Sequence, residues 1–220
     1  MPTDVIVEVA PKRAFASALA WPGWSRGGTT PDDAVGALTS YAPRYAVVAK
    51  RAKIAFAPGP LTVVERVAGG AGTEFGVPGA AAASEDRALR AAELKRLVSL
   101  LEAAWATFDA AAARAVGVEL SKGPRGGGRD LDKIIGHVRE ADVAYLGQLG
   151  SRSPAAADEN AESPMQLLRL AFVEALGAVA AGRPVADPRN TRKPWLPRYT
   201  IRRSAWHVLD HAWEIEDRAG

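Results

Sequence analysis

The stretch SAWHVLDHAWEIEDR, residues 204–218, holds two of the three histidines in the chain. Its large apolar residues recur at the spacing of an α-helix that buries one face: Trp206, Leu209, Trp213 and Ile215. His207 and His211 are four positions apart, so a helix carries both imidazoles on one face with Cβ atoms about 5–6 Å apart. The stretch therefore predicts an amphipathic last helix on which two histidines lie side by side.

Three earlier segments show the same helical period. Ser84-Glu85-Asp86 predicts the capped start of a long helix that runs to about Val116. Asp130 predicts the start of a second helix, through Leu149, and Ser163-Pro164 the start of a third, to about Ala181. The last helix begins near Thr200. Four amphipathic helices are typical of a bundle, and residues 84–220 are predicted to form an antiparallel four-helix bundle.

The first third of the chain has a different pattern. Residues 4–9, DVIVEV, alternate polar and apolar side chains as a strand does. Further strands are predicted at 13–21, in the turn-rich segment that follows, and at 59–70, with a helix at 31–42 that Thr30 caps and Pro43 interrupts. A Gly- and Ala-rich connector, 69–84, comes next. The predicted fold class is therefore α+β, with a small β-β-β-α-β domain, residues 1–78, before the bundle.

The composition is that of a folded globular protein, with 48% hydrophobic and 24% charged residues among 220. The chain has no cysteine, which excludes disulfides, thiolate metal ligands and a cysteine nucleophile. No stretch approaches the roughly 18 apolar residues of a membrane span, and the N-terminus does not resemble a signal peptide. We therefore expect a cytoplasmic protein with no membrane partner.

The net charge of +3 is spread along the chain. One basic run, RYAVVAKRAK at residues 44–53, is better explained as a solvated helix face than as a nucleic-acid surface. We therefore expect no nucleic-acid partner. The phosphate-binding pattern G-x-x-x-x-G-K-[ST] is absent, which excludes a nucleotide site of that type.

His137, the third histidine, lies in DKIIGHVREADVAYL, residues 132–146. It follows Gly136 in mid-helix, and since an interior glycine costs a helix about 1 kcal/mol relative to alanine, we expect a close neighbour that needs the space. Two helices of a bundle can bring His137, His207 and His211 together, and three imidazoles with an open position are typical of a catalytic metal site. Three buried histidines with separate hydrogen bonds are the alternative, and spacing leaves both open.

Carboxylates near the histidines have several interpretations. HVLDH, residues 207–211, has Val208 where the zinc-protease pattern H-E-x-x-H needs its glutamate base. Glu214 and Glu140 each lie one turn beyond a histidine, where a carboxylate can be a ligand or the acceptor that fixes an imidazole tautomer. We expect the remaining acidic residues of the last helix on solvated faces or in ion pairs with Arg202, Arg203 or Arg218: Asp210, Glu216 and Asp217.

The two histidine segments, IIGHVREADVAYLGQL (134–149) and AWHVLDHAWEIEDR (205–218), resemble the DinB-like superfamily of metal-binding four-helix bundles. That superfamily includes maleylpyruvate isomerase and thiol-transferase types, and the resemblance covers residues 84–220. It implies that His137, His207 and His211 bind a divalent metal ion, with Zn, Ni and Fe not distinguished. It also implies a small-molecule substrate.

Residues 15–38, FASALAWPGWSRGGTTPDDAVGAL, are similar to the HicB antitoxin-like fold. In that fold a strand is followed by a Pro-Gly turn, a G-x-T segment and a helix with an acidic start, and the similarity covers about residues 3–67. The bundle occupies the place of the DNA-binding extension of such antitoxins. We therefore expect the N-terminal domain to be a structural or dimerising module, or a lid over the bundle. The sequence leaves open whether the protein is a homodimer.

The DinB-like resemblance implies transfer of a low-molecular-weight thiol to an electrophilic small molecule. Because the chain has no cysteine, the thiol would be a cosubstrate. In a sequence rich in Ala, Gly, Arg and Val, as in GC-rich genomes, the resemblance implies a mycothiol-like thiol. A metal-dependent hydrolase with Glu214 as catalytic base is one alternative. A non-enzymatic binding or regulatory protein that acts through the HicB-like domain is another. Basic residues that can hold an anionic substrate are Arg139, Arg192, Lys193, Arg202 and Arg203.

Overall fold

The N-terminal part of the computed structural model is a four-stranded mixed sheet. The structure describes residues 2–122, 128–154, 163–183 and 193–220. The strands are β1 (Thr3–Val9), β2 (Ala14–Ala18), β3 (Ser25–Gly28) and β4 (Leu61–Ala68), in the order β3-β2-β1-β4. β1 pairs antiparallel with β2 and parallel with β4, and β2 pairs antiparallel with β3. The predicted strand-rich start of an α+β protein is confirmed.

Two helices connect β3 to β4: α1 (Pro31–Ser40) and α2 (Ala42–Arg51). Thr30 caps α1 as predicted, because its hydroxyl accepts from the backbone N–H of Asp33 at 3.1 Å and its own N–H donates to the Asp33 carboxylate at 3.1 Å. Pro43 falls in the first turn of α2, where its missing N–H removes no helical hydrogen bond. The interruption expected at Pro43 thus divides the segment into two helices, and together they form the crossover that parallel pairing of β1 with β4 requires.

Four long helices follow a short one, α3 (Ala71–Phe75): α4 (Ala91–Arg114), α5 (Leu131–Gln148), α6 (Pro164–Ala180) and α7 (Pro197–Ala219). Asp130 and Ser163 cap α5 and α6 as predicted, since each side chain accepts from a backbone N–H three residues later. α7 packs against α4 and α5, and α5 packs against α6. The antiparallel four-helix bundle stays a prediction. Within the described ranges, no helix has both the length and the apolar character to cross a membrane.

The start of α4 differs from the prediction. Ser84-Glu85-Asp86 lies in a separate 3-10 turn, Ala83–Asp86, and α4 begins only at Ala91. The carbonyls of Arg87 and Ala88, which a helix starting at Ser84 would use internally, accept hydrogen bonds from the guanidinium of Arg198 on α7. A tertiary contact therefore replaces the helical bonds that the sequence pattern predicted.

The Gly- and Ala-rich connector is anchored on both sides. Glu8 on β1 accepts from the backbone N–H of Gly79 at 2.8 Å. Glu85 pairs with Arg202 of α7 at 2.8 Å, and both side chains are buried, with 4% and 2% exposure. The buried hydrophobic cluster contains side chains from the sheet and from the long helices. The division into domains at 1–78 and 84–220 stays a prediction.

The sheet also rests on α7. Gly23 has φ +91°, a conformation that favours glycine, and a Cβ at this position would lie 2.7 Å from Cδ1 of Leu209. Phe15 packs edge-on against Trp206, with 5.9 Å between ring centroids. The N-terminal unit is therefore in direct contact with α7 at Gly23 and Phe15.

Candidate metal centre

α5 and α7 bring the three histidines of the chain together. His137 comes from α5, and His207 and His211 come from successive turns of α7. The Nε2 atoms of His137 and His207 are 3.2 Å apart. One nitrogen from each of the three rings lies within 4.8 Å of the others. The predicted convergence is confirmed, since the three imidazoles lie close enough to hold one metal ion.

The ring contacts show how two helix faces produce this cluster. The ring centroid of His137 lies 5.0 Å from that of His207 and 5.0 Å from that of His211. Tyr145, two turns after His137, lies 6.0 Å from His207. His137 thus lies beside both His207 and His211, whereas the later residue Tyr145 lies beside the earlier one, His207. The two helices therefore run antiparallel where they meet.

The distances fit the donor set of a metal site. Two imidazole nitrogens bound to one tetrahedral zinc ion at about 2.0–2.1 Å lie about 3.3 Å from each other. His137 and His207 already have this separation, at 3.2 Å. The other nitrogen–nitrogen distances among the three rings are at most 4.8 Å. Binding of one ion would therefore require the rings to move only slightly closer together. Because imidazole suits Zn, Ni and Fe alike, the donor set does not select among them.

Glu214 fixes the ring of His211. Its Oε2 atom lies 2.7 Å from Nδ1 of His211, and its Oε1 atom accepts from Arg218 at 2.8 Å. The hydrogen bond with His211 is the main cause that holds the pKa of Glu214 below its ordinary value, and Arg218 adds to it. The ionised carboxylate is therefore the acceptor, and Nδ1 of His211 carries the proton. This leaves the Nε2 lone pair of His211 free for a metal ion, an arrangement that is common where a carboxylate orients a metal-binding histidine.

Burial keeps the other two histidines neutral. His207 is 7% exposed, and the loss of hydration lowers its pKa to about 2, with the positive charge of Arg203 adding to the effect. Partial burial also lowers the pKa of His137. Neutral imidazole is the form that binds metal ions, so neither ring has to lose a proton at neutral pH.

Gly136 does not make room for a neighbour. A Cβ at this position would meet nothing within 4 Å beyond its own helix. The expectation of a close contact at Gly136 is therefore wrong. His137 owes its position to the pairing of α5 with α7, and the glycine adjacent to it does not contribute.

The other acidic residues of α7 bind arginines of other elements. Asp210 pairs with Arg26 at 2.7 Å, Glu216 with Arg44 at 2.9 Å and Arg114 at 2.8 Å, and Asp217 with Arg44 at 2.8 Å. Asp217 is exposed, in agreement with the predicted solvated face. The alternative, pairing with Arg202, Arg203 or Arg218, is wrong, because Arg202 binds Glu85 and Arg218 binds Glu214. These ion pairs connect α7 to β3, α2 and α4.

The basic residues that were candidates for substrate binding differ in their exposure and in their partners. Arg139 and Lys193 are exposed, Arg202 is buried on Glu85, and Arg203 is half-buried one turn before His207. Arg192 lies outside the described residues.

Sequence reasoning missed a buried carboxylate on α5. Asp142 is fully buried, and its Oδ1 atom accepts from Ser204 of α7 at 3.1 Å. Burial raises the pKa of Asp142 to about 7. The signal was present in the sequence, because Asp142 occupies a stripe at four-residue spacing whose other members are apolar and buried: Ile134, Val138 and Leu146.

Residues 23–27, Gly-Trp-Ser-Arg-Gly, match the serine-hydrolase pattern G-x-S-x-G. In such enzymes the serine lies on a tight turn between a strand and a helix, where its hydroxyl is exposed. Ser25 instead begins β3, is buried and pairs with Ser17 of β2. The context that this pattern requires for catalysis is therefore missing at Ser25.

Comparison of the chain with family models, with curated proteins and with solved structures gives no match. The DinB-like and HicB-like resemblances therefore rest on the sequence segments quoted above, and the case for a metal centre rests on the geometry of the three histidines.

Proposed function

We propose that this chain binds one divalent metal ion at His137, His207 and His211 and conjugates a low-molecular-weight thiol to an electrophilic small molecule. The observation that carries the proposal is the convergence of the three imidazoles, with two Nε2 atoms 3.2 Å apart. Three protein ligands leave an open position, which is typical of catalytic rather than structural sites. The resemblance of residues 84–220 to DinB-like proteins supports the same class of reaction.

The residues of the chain prepare the site in complementary ways. α7 buries His207 and so keeps its ring unprotonated. Glu214 holds the proton of His211 on Nδ1. His137 is only partly buried, which leaves a side from which a small molecule can approach. His137, His207 and His211 would hold the divalent ion, which would supply the positive charge that favours the thiolate form of a thiol substrate.

In the conjugation, the thiol gives its proton to solvent and its sulfur forms a C–S bond with the electrophilic carbon. The leaving group departs with the bonding electron pair. Because the chain contains no cysteine, the thiol has to be a second substrate. A mycothiol-like thiol is the proposed one.

The contacts of Glu214 favour thiol transfer over hydrolysis. A hydrolase gains from a general base that takes a proton from water. Glu214, the predicted base, already uses one oxygen for His211 and the other for Arg218. Thiol conjugation needs no such base once the thiolate is stabilised, so it matches this arrangement better.

A conjugation assay tests the proposal. Metal-free protein is reconstituted with Zn²⁺, Ni²⁺ or Fe²⁺, and 2-mercaptoethanol or mycothiol is offered with 1-chloro-2,4-dinitrobenzene while product absorbance is followed. We expect turnover with at least one metal, loss of turnover in His207→Ala, and retention in Arg51→Met, which changes an exposed residue of α2. Metal-loaded protein that hydrolyses 4-nitrophenyl acetate but conjugates neither thiol would overturn thiol transfer.

We propose a structural role for the N-terminal unit, which resembles HicB-like proteins over residues 3–67. Gly23 approaches α7 at Leu209, and Arg26 pairs with Asp210 at 2.7 Å. These contacts support α7 along the helix that carries His207 and His211.

A further inference from the structure

Arg203 differs from the other arginines of α7. Three of the four bind a carboxylate: Arg198 binds Glu93 at 2.9 Å, Arg202 binds Glu85 at 2.8 Å and Arg218 binds Glu214 at 2.8 Å. Arg203 has no carboxylate partner in the described part of the chain, and its Nη1 atom is buried there without a hydrogen-bond partner. A buried guanidinium nitrogen without an acceptor is unusual, because polar groups taken out of water are nearly always paired.

Aromatic rings hold the Arg203 side chain in place. Its Cζ atom lies 5.2 Å from the centroid of the Tyr145 ring and 4.8 Å from that of the Trp206 ring. Ring faces attract a guanidinium and restrict its orientation, but they do not use up its N–H groups. Arg203 therefore keeps both its charge and its hydrogen-bonding capacity for a ligand.

Arg203 also belongs to the face of α7 that carries the histidines. Arg203, His207 and His211 follow one another at a spacing of four, which puts neighbouring Cβ atoms about 5–6 Å apart. Tyr145 contacts both Arg203 and His207, the latter with 6.0 Å between ring centroids. The charge of Arg203 contributes to the lowered pKa of His207, as expected for close neighbours.

We propose that Arg203 determines substrate specificity by binding a carboxylate of the substrate beside the three histidines. The assignment rests on the proposed function, because it takes the reacting atom to lie at that cluster. A guanidinium binds a carboxylate through two parallel N–H bonds, and a fixed guanidinium orients the molecule that it binds. The substrate class is a thiol or an electrophile that carries a carboxylate which Arg203 can bind while the reacting atom lies at the histidines.

The first test needs no metal. Binding of propionate to metal-free protein is measured by ligand-observed NMR for the wild type, Arg203→Met and Arg51→Met. Methionine keeps an unbranched stem against Tyr145 and Trp206. Arg51→Met is the matched control because it removes an exposed arginine of α2. We expect propionate to bind the wild type and the control, and its affinity to fall about tenfold or more in Arg203→Met.

Arg203→Lys provides a second variant in case Arg203→Met fails to fold, as judged by helical circular dichroism. It keeps the charge but not the paired N–H groups, so we expect an intermediate affinity. Absence of propionate binding in the wild type overturns the proposal. Equal binding in the wild type and in every folded Arg203 variant also overturns it.

The second test identifies which substrate carries the carboxylate. Co²⁺-loaded protein is titrated with 3-mercaptopropionate and with neutral 3-mercapto-1-propanol, and the thiolate-to-cobalt absorption is followed. In parallel, conjugation of 2-mercaptoethanol is compared for iodoacetate and iodoacetamide, each of which loses iodide as the C–S bond forms. We expect a preference of about tenfold for the anion in one of the pairs, and its loss in Arg203→Met.

The outcomes separate this proposal from the proposed function. A preference for 3-mercaptopropionate assigns the carboxylate to the thiol, and one for iodoacetate assigns it to the electrophile. Thiol binding without a preference in either pair overturns the role of Arg203 and leaves thiol transfer standing. Failure of every thiol to bind at cobalt overturns thiol transfer, and the propionate measurement then decides the role of Arg203.

Discussion

His211 donates a hydrogen bond from Nδ1 to Glu214 across 2.7 Å, and Arg218 pairs with the other oxygen of the same carboxylate at 2.8 Å. An imidazole whose Nδ1 proton is committed in this way has Nε2 as its only lone pair. In the part of the chain that the structure describes, Nδ1 of His207 has no acceptor. The two candidate ligands of α7 are thus prepared differently, His211 by a hydrogen bond and His207 by burial.

Glu214→Gln is expected to weaken Zn²⁺ binding by about 10–100-fold, because the amide is a poorer acceptor for the Nδ1 proton of His211. Competition with a chromophoric chelator measures the affinity. Glu216→Gln is the matched control, since that carboxylate pairs with Arg44 and Arg114 instead of a histidine. An equal loss of affinity in both variants would show that overall charge matters and the orientation of His211 does not.

The buried pair of Glu85 and Arg202 should dominate the attachment of the 3-10 turn Ala83–Asp86 to α7. Glu85→Gln leaves Arg202 buried without its counter-charge and should lower the free energy of unfolding by about 3–5 kcal/mol. Glu93→Gln, which changes the partly exposed partner of Arg198, should cost about 1 kcal/mol or less. Urea unfolding of the two variants compares them directly. Similar losses would contradict the difference in burial on which the prediction rests.

Asp142 should make stability fall as the pH rises. Its ordinary pKa is 3.8 and burial raises the pKa to about 7, so between these values the folded state holds a proton that the unfolded state has released. The free energy of unfolding should therefore decrease by about 1.4 kcal/mol per pH unit over this range and level off above it. Asp142→Asn should remove this component, as measured by urea unfolding from pH 4 to 8 with a chelator present. Parallel pH profiles for the two proteins would refute it.

Gly23 should tolerate no side chain. Gly23→Ala combines φ +91° with a Cβ 2.7 Å from Cδ1 of Leu209, and it should lower the free energy of unfolding by about 1–3 kcal/mol. Gly36→Ala is the control, because a Cβ there meets open space in the middle of α1. It should raise stability by about 0.5–1 kcal/mol. Thermal and urea unfolding should shift in opposite directions for the two variants, and a neutral Gly23→Ala would contradict the close approach to α7.

The local patterns of the sequence predicted the elements that carry the site. The apolar spacing of Trp206, Leu209 and Trp213 predicted the buried helix α7, and all three side chains are buried. The spacing of His207 and His211 predicted that they share a helix face. Such features depend on residues within one or two turns, which is why the sequence alone sufficed.

Long-range contacts decided what the sequence left open or predicted wrongly. The residues from Ser84 onward have the pattern of a helix start. However, Arg198 binds the carbonyls of Arg87 and Ala88, and α4 begins only at Ala91. Arg203 stood among five basic candidates, and its lack of a carboxylate partner emerges only once Arg202 is seen to bind Glu85. Pairings of residues more than a hundred positions apart leave no local pattern in the chain.

Metal content is the measurement that tests the central claim most directly. Protein purified without a histidine tag is incubated with Zn²⁺, Ni²⁺ or Fe²⁺, desalted and subjected to elemental analysis, alongside His137→Ala and His207→Ala. The three-histidine site predicts about one metal ion per wild-type chain, and its loss in both variants while helical circular dichroism persists. Wild-type protein that retains none of the three metals would contradict the claim and make the three histidines structural.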